Sequence, residues 1–392
     1  MDFLNTIENI VSDSWEEHIS WDLIEALFNE KSFYVFSQMK NTFQNPVFHG
    51  EGNVYTHTQM VCRELMNIPD FNMLPAHLKA ELFLAALLHD IGKVKTTRIE
   101  NEVWVSPNHS LVGSHIVRDF LWKECNLCGT PEKQNFRETV CNLVRYHMLP
   151  VHLLEYEKAH TKARITASIG QLAQDFSLNM LRILSEVDVK GRIADDINEE
   201  LYKIQLFKML AEEAQCFYEC YSFTDAFTQH AYFSGRNVQP DQTLYDDTWG
   251  EVIMMSGLPG TGKDTWIIMN APDLPVISLD SIRKELRIKP TDEQGVVIHT
   301  AKERAKEFLR KKQSFIWNAT DLTKDIRQKY ITLFERYNAR VKIIYLETDW
   351  NIRLKRNTER ENVVPENVIE KMLRKLSPPT SEEAQTVEWH CV

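Results

Sequence analysis

From the start of the chain to about Phe233, apolar residues recur at every third or fourth position. WDLIEALF (21–28), HLKAELFLAALLHDI (77–91), GSHIVRDFLWKE (113–124), NMLRILSEVDVKGRI (179–193) and EELYKIQLFKMLAEEA (199–214) each read as a helix with one buried face. Between Thr96 and Pro107, a short polar stretch carrying Val103, Trp104 and Val105 predicts a small hairpin. The polar segment SGRNVQPDQTLYDD (234–247) then breaks the helical rhythm. Beyond it EVIMMS, PVIS, SFIWNA and VKIIYLE are short β-rich runs, each followed by a helical stretch. That alternation is the signature of a parallel sheet covered by helices on both faces.

The pattern divides the chain into an all-α helical bundle over residues 1–240, a linker at 241–250 and an α/β domain over 251–392. The first 45 residues read as amphipathic helix, and the tail PPTSEEAQTVEW (378–389) reads as a final strand on the sheet. With 392 residues the chain is long enough for two domains with separate cores. It lacks both a signal-peptide pattern and an apolar run of about 18 residues, so it is expected to act in the cytoplasm without a membrane. Seven cysteines, an odd number, fit a reducing compartment, and the Cys125/Cys128 pair has no second pair at zinc-site spacing. A net charge of -11 argues against general nucleic-acid binding but leaves room for a local basic channel.

Two sets of residues carry chemistry. In the second domain Gly257-Leu258-Pro259-Gly260-Thr261-Gly262-Lys263 follows a strand and opens a helix, the context of a phosphate-binding loop. Glycines turn backbone N–H groups toward a phosphate, and Lys263 reaches the β- and γ-phosphates of ATP or another nucleoside triphosphate. The position that usually holds a Mg²⁺-binding hydroxyl is Asp264, followed by Thr265, and either is suited to the magnesium shell. Asp280, just beyond the PVIS strand, is placed to take a proton from an attacking hydroxyl. Its bland role is to cap the next helix. Arg283, one turn on, is placed to grip a substrate phosphate. Arg353, Arg356 and Arg360 share a helical stripe that suits closure over the nucleotide. Residues 301–376 hold 19 Lys/Arg against 11 Asp/Glu, a bias that suits a phosphate-rich acceptor.

In the first domain His57, the pair His89-Asp90, His109, His147 and Asp188 stand in or beside helices. Imidazoles and carboxylates that meet inside a bundle suit one or two divalent metals such as Mn²⁺, Fe²⁺, Ni²⁺ or Co²⁺. Each histidine alone is an ordinary core residue; the ordered series is what points to metals. Lys93, one turn beyond His89 and Asp90, reads either as a phosphate contact or as a plain lysine at a helix C-terminus. His49, His115 and Arg145 stand near these motifs without an assignable role.

GLPGTGKD, DSIR, NATDLT and RLKRNTER resemble, in order and spacing, the polynucleotide 5′-hydroxyl kinase family. The resemblance implies Asp280 as general base, Arg283 as contact to the acceptor's phosphate, and Arg356, Arg360 and Arg353 as lid contacts to ATP. HDIGK, HGEGNVYTHT and HSLVG resemble the HD phosphohydrolase superfamily and the HD region of bacterial tRNA nucleotidyltransferases. That likeness implies His57, His89, Asp90 and Asp188 as metal ligands, with His109 and His147 completing a second metal site.

Together the halves resemble the bacterial HD-domain polynucleotide kinases. The resemblance implies a bifunctional enzyme that phosphorylates RNA or DNA 5′-OH ends and hydrolyses 2′,3′-cyclic phosphate and 2′-phosphate ends, leaving sealing to a separate RNA ligase. The alternative expectation is an HD nucleotidase fused to a nucleoside or small-molecule kinase. Native metal, RNA or DNA preference and oligomeric state are not legible in the sequence.

Overall fold

The computed structural model describes residues 3–12, 20–360 and 363–392. Two compact units form. The first takes the chain through Leu127 and then Glu132–Tyr221; the second takes Cys128–Pro131 and Ser222–Val392. The division therefore falls after Tyr221, ahead of the linker expected at 241–250. Hydrogen bonds explain the difference. Leu244 N donates to Thr228 Oγ1 at 3.0 Å, Trp249 Nε1 donates to the Tyr337 carbonyl at 2.6 Å, and Arg340 pairs with Asp246. The polar segment and the helix Ala226–Phe233 before it are thus tied into the second unit.

The first unit is a helical bundle. At its centre lies Ala76–Leu88, whose residues from Ala80 to Leu88 are buried on every side. A helix apolar all round needs neighbours on all faces, and Phe3–Ser12, Val54–Asn67 and Leu178–Lys190 supply them. Asn53 caps Val54–Asn67 by accepting from Thr56 N at 2.8 Å, and Ser177 caps Leu178–Lys190 by accepting from Met180 N. The expected hairpin is present, with β1 (Arg98–Glu100) antiparallel to β2 (Val103–Val105). Residues 13–19 of the expected N-terminal amphipathic stretch lie outside the described residues.

The second unit contains a five-stranded parallel sheet. Its strands are β3 (Glu251–Ser256), β4 (Val276–Ser278), β5 (Phe315–Asn318), β6 (Arg340–Glu347) and β7 (Thr386–Cys391), in the order β4-β5-β3-β6-β7. The near-continuous burial of β3, β5 and most of β6 reflects cover on both faces. Strand order reverses at β3, so the crevice at its carboxyl end is the ligand-binding position of such a sheet. The tail forms β7, and the fully buried pair Arg327–Glu383, 2.7 Å apart, anchors the segment leading into it.

Candidate active sites

His89 and Asp90 lie in the turn that ends the central helix. Just beyond them, Gly92 lets the helix His109–Lys123 approach closely. A Cβ on Gly92 would stand 2.0 Å from the His109 carbonyl oxygen and 2.6 Å from Gly113 N. That close approach sets the first residue of His109–Lys123 against Asp90. His57 comes from Val54–Asn67, Asp188 from Leu178–Lys190, and His147 from the turn just after Pro131–Tyr146.

All six expected ligands converge, in two groups that share Asp90. In the first, His57 Nε2 lies 3.0 Å from Asp188 Oδ1, 3.3 Å from His89 Nε2 and 3.8 Å from Asp90 Oδ2. In the second, Asp90 Oδ1 lies 3.3 Å from His109 Nε2 and 3.8 Å from His147 Nε2, which are 3.3 Å apart. Donors about 2.1 Å from one ion at ordinary coordination angles stand roughly 3.0–3.5 Å from one another. The observed spacings of 3.0–3.8 Å are close to that range, so each group could hold one cation, with Asp90 common to both.

Tautomers support the same assignment. The four Nδ1 atoms each face a backbone carbonyl: Gly191 for His57, Ala86 for His89, Ser106 for His109 and Val144 for His147. Each Nδ1–H donates outward, so each Nε2 turns a lone pair into the shared space. Neutral imidazoles cannot satisfy one another in that arrangement, whereas a cation satisfies all of them. Burial pushes His147 down to about 3, an imidazole kept neutral for ligation. Burial also opposes charge on His57, but its hydrogen bonds to Asp188 and Glu51 outweigh that and raise it to about 9.

The shell around the ligands was only partly visible in the sequence. Lys93 is buried, and its Nζ lies 2.7 Å from Asp90 Oδ2 and 2.7 Å from Gln44 Oε1. It is the first residue of the four-residue helix Lys93–Thr96. Arg192 Nη2 stands 3.2 Å from Asp188 Oδ2. Burial opposes ionisation of both carboxylates, but Lys93 beside Asp90 and Arg192 beside Asp188 hold them well below the usual range. Glu51 accepts from His49 at 2.8 Å and from Ile193 N at 2.9 Å. Sequence reading passed over Gln44, Glu51 and Arg192; the i,i+4 spacing of Asp188 and Arg192 was the one available signal. Of the unassigned residues, His49 meets Lys93 Nζ at 3.4 Å, and Arg145 donates to Ser110 at 3.3 Å, next to His109. Burial lowers His115 to about 4.

In the second unit the loop after β3 wraps as a phosphate cradle. Gly257 has φ 142°, and a Cβ there would meet the Leu346 carbonyl oxygen at 2.4 Å. Gly262, also at positive φ, begins the helix Lys263–Asn270. Lys263 Nζ folds back to donate to the carbonyls of Gly257 and Leu258 at 2.8 and 2.9 Å. Thr261 Oγ1 donates to Leu258 O at 2.9 Å, closing the turn through Pro259 and Gly260. Asp264 accepts from Asn318 Nδ2 at 2.7 Å and so faces the carboxyl end of β5; both Asp264 and Thr265 are exposed. Asp321, in the loop after β5, was quoted within NATDLT but given no role; burial raises it to about 7.

Ser278, not Asp280, caps the helix Leu279–Leu286. Asp280 is thereby free of the bland role; it is 70% exposed, pairs with Arg283, and lies 3.9 Å from Arg360 Nη2. Arg283 is held from its other side by Gln294 at 2.7 Å. The expected stripe of three arginines is only partly formed. The helix Trp350–Thr358 ends before Arg360, which sits in the following turn. Arg356 Nη1 lies 3.7 Å from where a Gly262 Cβ would stand. Arg353 is fully buried over the Trp350 ring, and none of its guanidinium nitrogens has a hydrogen-bond partner.

Comparison with known proteins gives a family match within each unit. The HD domain family model matches residues 54–172, and an AAA domain family model matches residues 252–379. The chain is 26% identical over 162 residues to heterogeneous nuclear ribonucleoprotein U-like protein 2 of Mus musculus, covering 37% of this chain and 21% of that protein. It is 26% identical over 135 residues to the L-seryl-tRNA(Sec) kinase of Methanococcus maripaludis, covering 33% of this chain and 53% of that kinase. The chain thus spans between a fifth and about half of the length of these relatives. It joins an HD phosphohydrolase domain to a P-loop kinase-like domain. Among the described residues no helix is long and apolar enough to cross a membrane.

Proposed function

We propose that the chain is an HD-domain polynucleotide kinase, a bifunctional enzyme that heals broken RNA or DNA ends for a separate ligase. The observation that carries the reading is the exposed Asp280–Arg283 pair at the carboxyl edge of the sheet that bears the P-loop. ATP binding alone needs no exposed base. A kinase acting on a hydroxyl next to a phosphate needs both a base and a cation beside it.

In the kinase half, Gly257–Lys263 and Arg356 hold the triphosphate, and Asp264 serves the Mg²⁺ shell, since Asn318 already orients its carboxylate. Asp280 takes the proton of the 5′-OH as that oxygen attacks the γ-phosphorus and the bond to the departing diphosphate breaks. Arg283 grips the acceptor's own phosphate, and Arg360 neutralises charge on the moving group. One relative is by name a kinase of an L-seryl-tRNA, which supports an acceptor hydroxyl carried on RNA.

In the HD half, His57, His89, Asp90 and Asp188 hold one divalent metal, and Asp90, His109 and His147 the other. Bound there, two such ions supply an activated water and offset phosphate charge. Lys93 Nζ, held between Asp90 and Gln44, donates to the substrate phosphate. The proposed substrates are 2′,3′-cyclic phosphate and 2′-phosphate ends.

One RNA bearing a 5′-OH and a 2′,3′-cyclic phosphate tests both halves. With labelled ATP, Mg²⁺ and Mn²⁺, the 5′ end gains label and the other end loses phosphate. End-labelling that survives Asp280→Ala sinks the base assignment. Excess nucleoside that outcompetes the oligonucleotide as acceptor favours a small-molecule kinase instead.

A further inference from the structure

Two aromatic residues that metal ligation does not use stand close in sequence to residues that touch the HD centre. Phe43 stands one residue before Gln44, whose side chain accepts from Lys93 Nζ at 2.7 Å. Trp104 stands on β2 two residues before Ser106, whose carbonyl receives the Nδ1–H of His109. The two rings come from separate elements and meet at 6.4 Å between centroids, inclined at 43°. Phe43 is 55% exposed. Opposite Trp104 across the hairpin is Ile99, 58% exposed and on the same face. A two-stranded ribbon is marginal alone. This one is tied at its base by the Thr97–Ser106 hydroxyl pair at 2.8 Å and carries Trp104 against Phe43. Beside Phe43, Gln44 is 6% exposed, and its Nε2 has no hydrogen-bond partner. A buried amide donor is seldom left unpaired.

We infer that Phe43 and Trp104 form a stacking platform for the base of the end nucleotide whose phosphate enters the HD centre, with Gln44 Nε2 donating to an oxygen of that nucleotide. The inference rests on the end-healing reading above. Stacking on exposed rings is the usual way to hold an unpaired base and tolerates every base. A platform one residue from Gln44 and two from Ser106 would tether the base near the phosphate that Lys93 and the ligand cluster receive. The HD half is therefore expected to require a nucleoside rather than any phosphomonoester, with little preference among the four bases.

The test uses the full-length protein loaded with Mn²⁺ and two RNAs that end in a 2′-phosphate. They are identical except that one lacks its last base. Phe43→Ala and Trp104→Ala are expected to raise KM for the base-bearing end roughly tenfold or more, with kcat nearly kept and the abasic end unchanged. Phe43→Tyr retains the wild-type KM. A 4-thiouridine at the same end, irradiated on the wild-type protein, is expected to leave its adduct on Phe43 or Trp104 by mass spectrometry. Equal loss on both RNAs, no loss on either, or an adduct only elsewhere overturns the platform. A wild-type protein inert on both ends but active on 5′-OH ends overturns the proposed HD substrate, and the platform with it.

Discussion

Replacing Gly92 with alanine tests how the HD centre is assembled. The added Cβ falls 2.0 Å from the His109 carbonyl oxygen and 2.6 Å from Gly113 N, both backbone atoms that no rotamer change can move. Restoring van der Waals contact requires the helix His109–Lys123 to retreat by about an ångström or more. His109 Nε2 rides on that helix and now lies 3.3 Å from both Asp90 Oδ1 and His147 Nε2. Ligand distances tolerate only about 0.2 Å, so the Asp90–His109–His147 group loses its ion, whereas His57, His89 and Asp188 come from other elements and keep theirs. Overpacking of this kind costs about 1–3 kcal/mol, a Tm loss of roughly 2–12 °C for a unit of this size. Metal content by mass spectrometry after dialysis, read beside thermal unfolding, checks it. The expected result is a fall from two ions per chain to one, with a lowered Tm. Two retained ions and an unchanged Tm would refute the close-approach argument.

Asp90→Ala removes the carboxylate common to both groups; both ions should be lost and phosphate release should stop, while 5′-end labelling persists. Burial pushes Lys263 down to about 8, so above that pH it is neutral until phosphates restore its charge. Calorimetry in two buffers should show nucleotide binding taking up about one proton at pH 9 and almost none at pH 7; Lys263→Met should abolish the difference. The same shift has a stability sign: between about 8 and about 10.4 the unfolded lysine holds the proton that the folded one has lost, so the kinase unit gains stability as pH rises through that window. Glu383→Ala leaves Arg327 buried without its carboxylate and should cost about 3–5 kcal/mol in denaturant unfolding. An Arg327→Met/Glu383→Leu double variant should recover most of it, and failure to do so would point to the Arg327 bonds to Asp321 and Ser377 carbonyls instead.

By itself the sequence determined the local chemistry. The switch from a three-to-four period to short β runs separated helical bundle from parallel sheet, because burial on one helix face and burial on both sheet faces impose different spacings. The loop from Gly257 to Lys263 was legible because backbone that closes on a phosphate needs glycine at fixed offsets. Tertiary structure decided what no spacing encodes. It grouped the four imidazoles by which oxygen of Asp90 each faces, and it brought the Gly191 carbonyl across the bundle to His57, whereas His89, His109 and His147 each use a carbonyl three residues upstream. It gave the helix cap to Ser278 and so released Asp280. It buried Arg353 over the Trp350 ring, left Arg360 beyond the helix end, and drew the polar segment before β3 into the second unit. Gln44 and Glu51 reach the HD centre from one loop whose sequence carries no period, and a residue's partner across space is fixed only when helices close on one another.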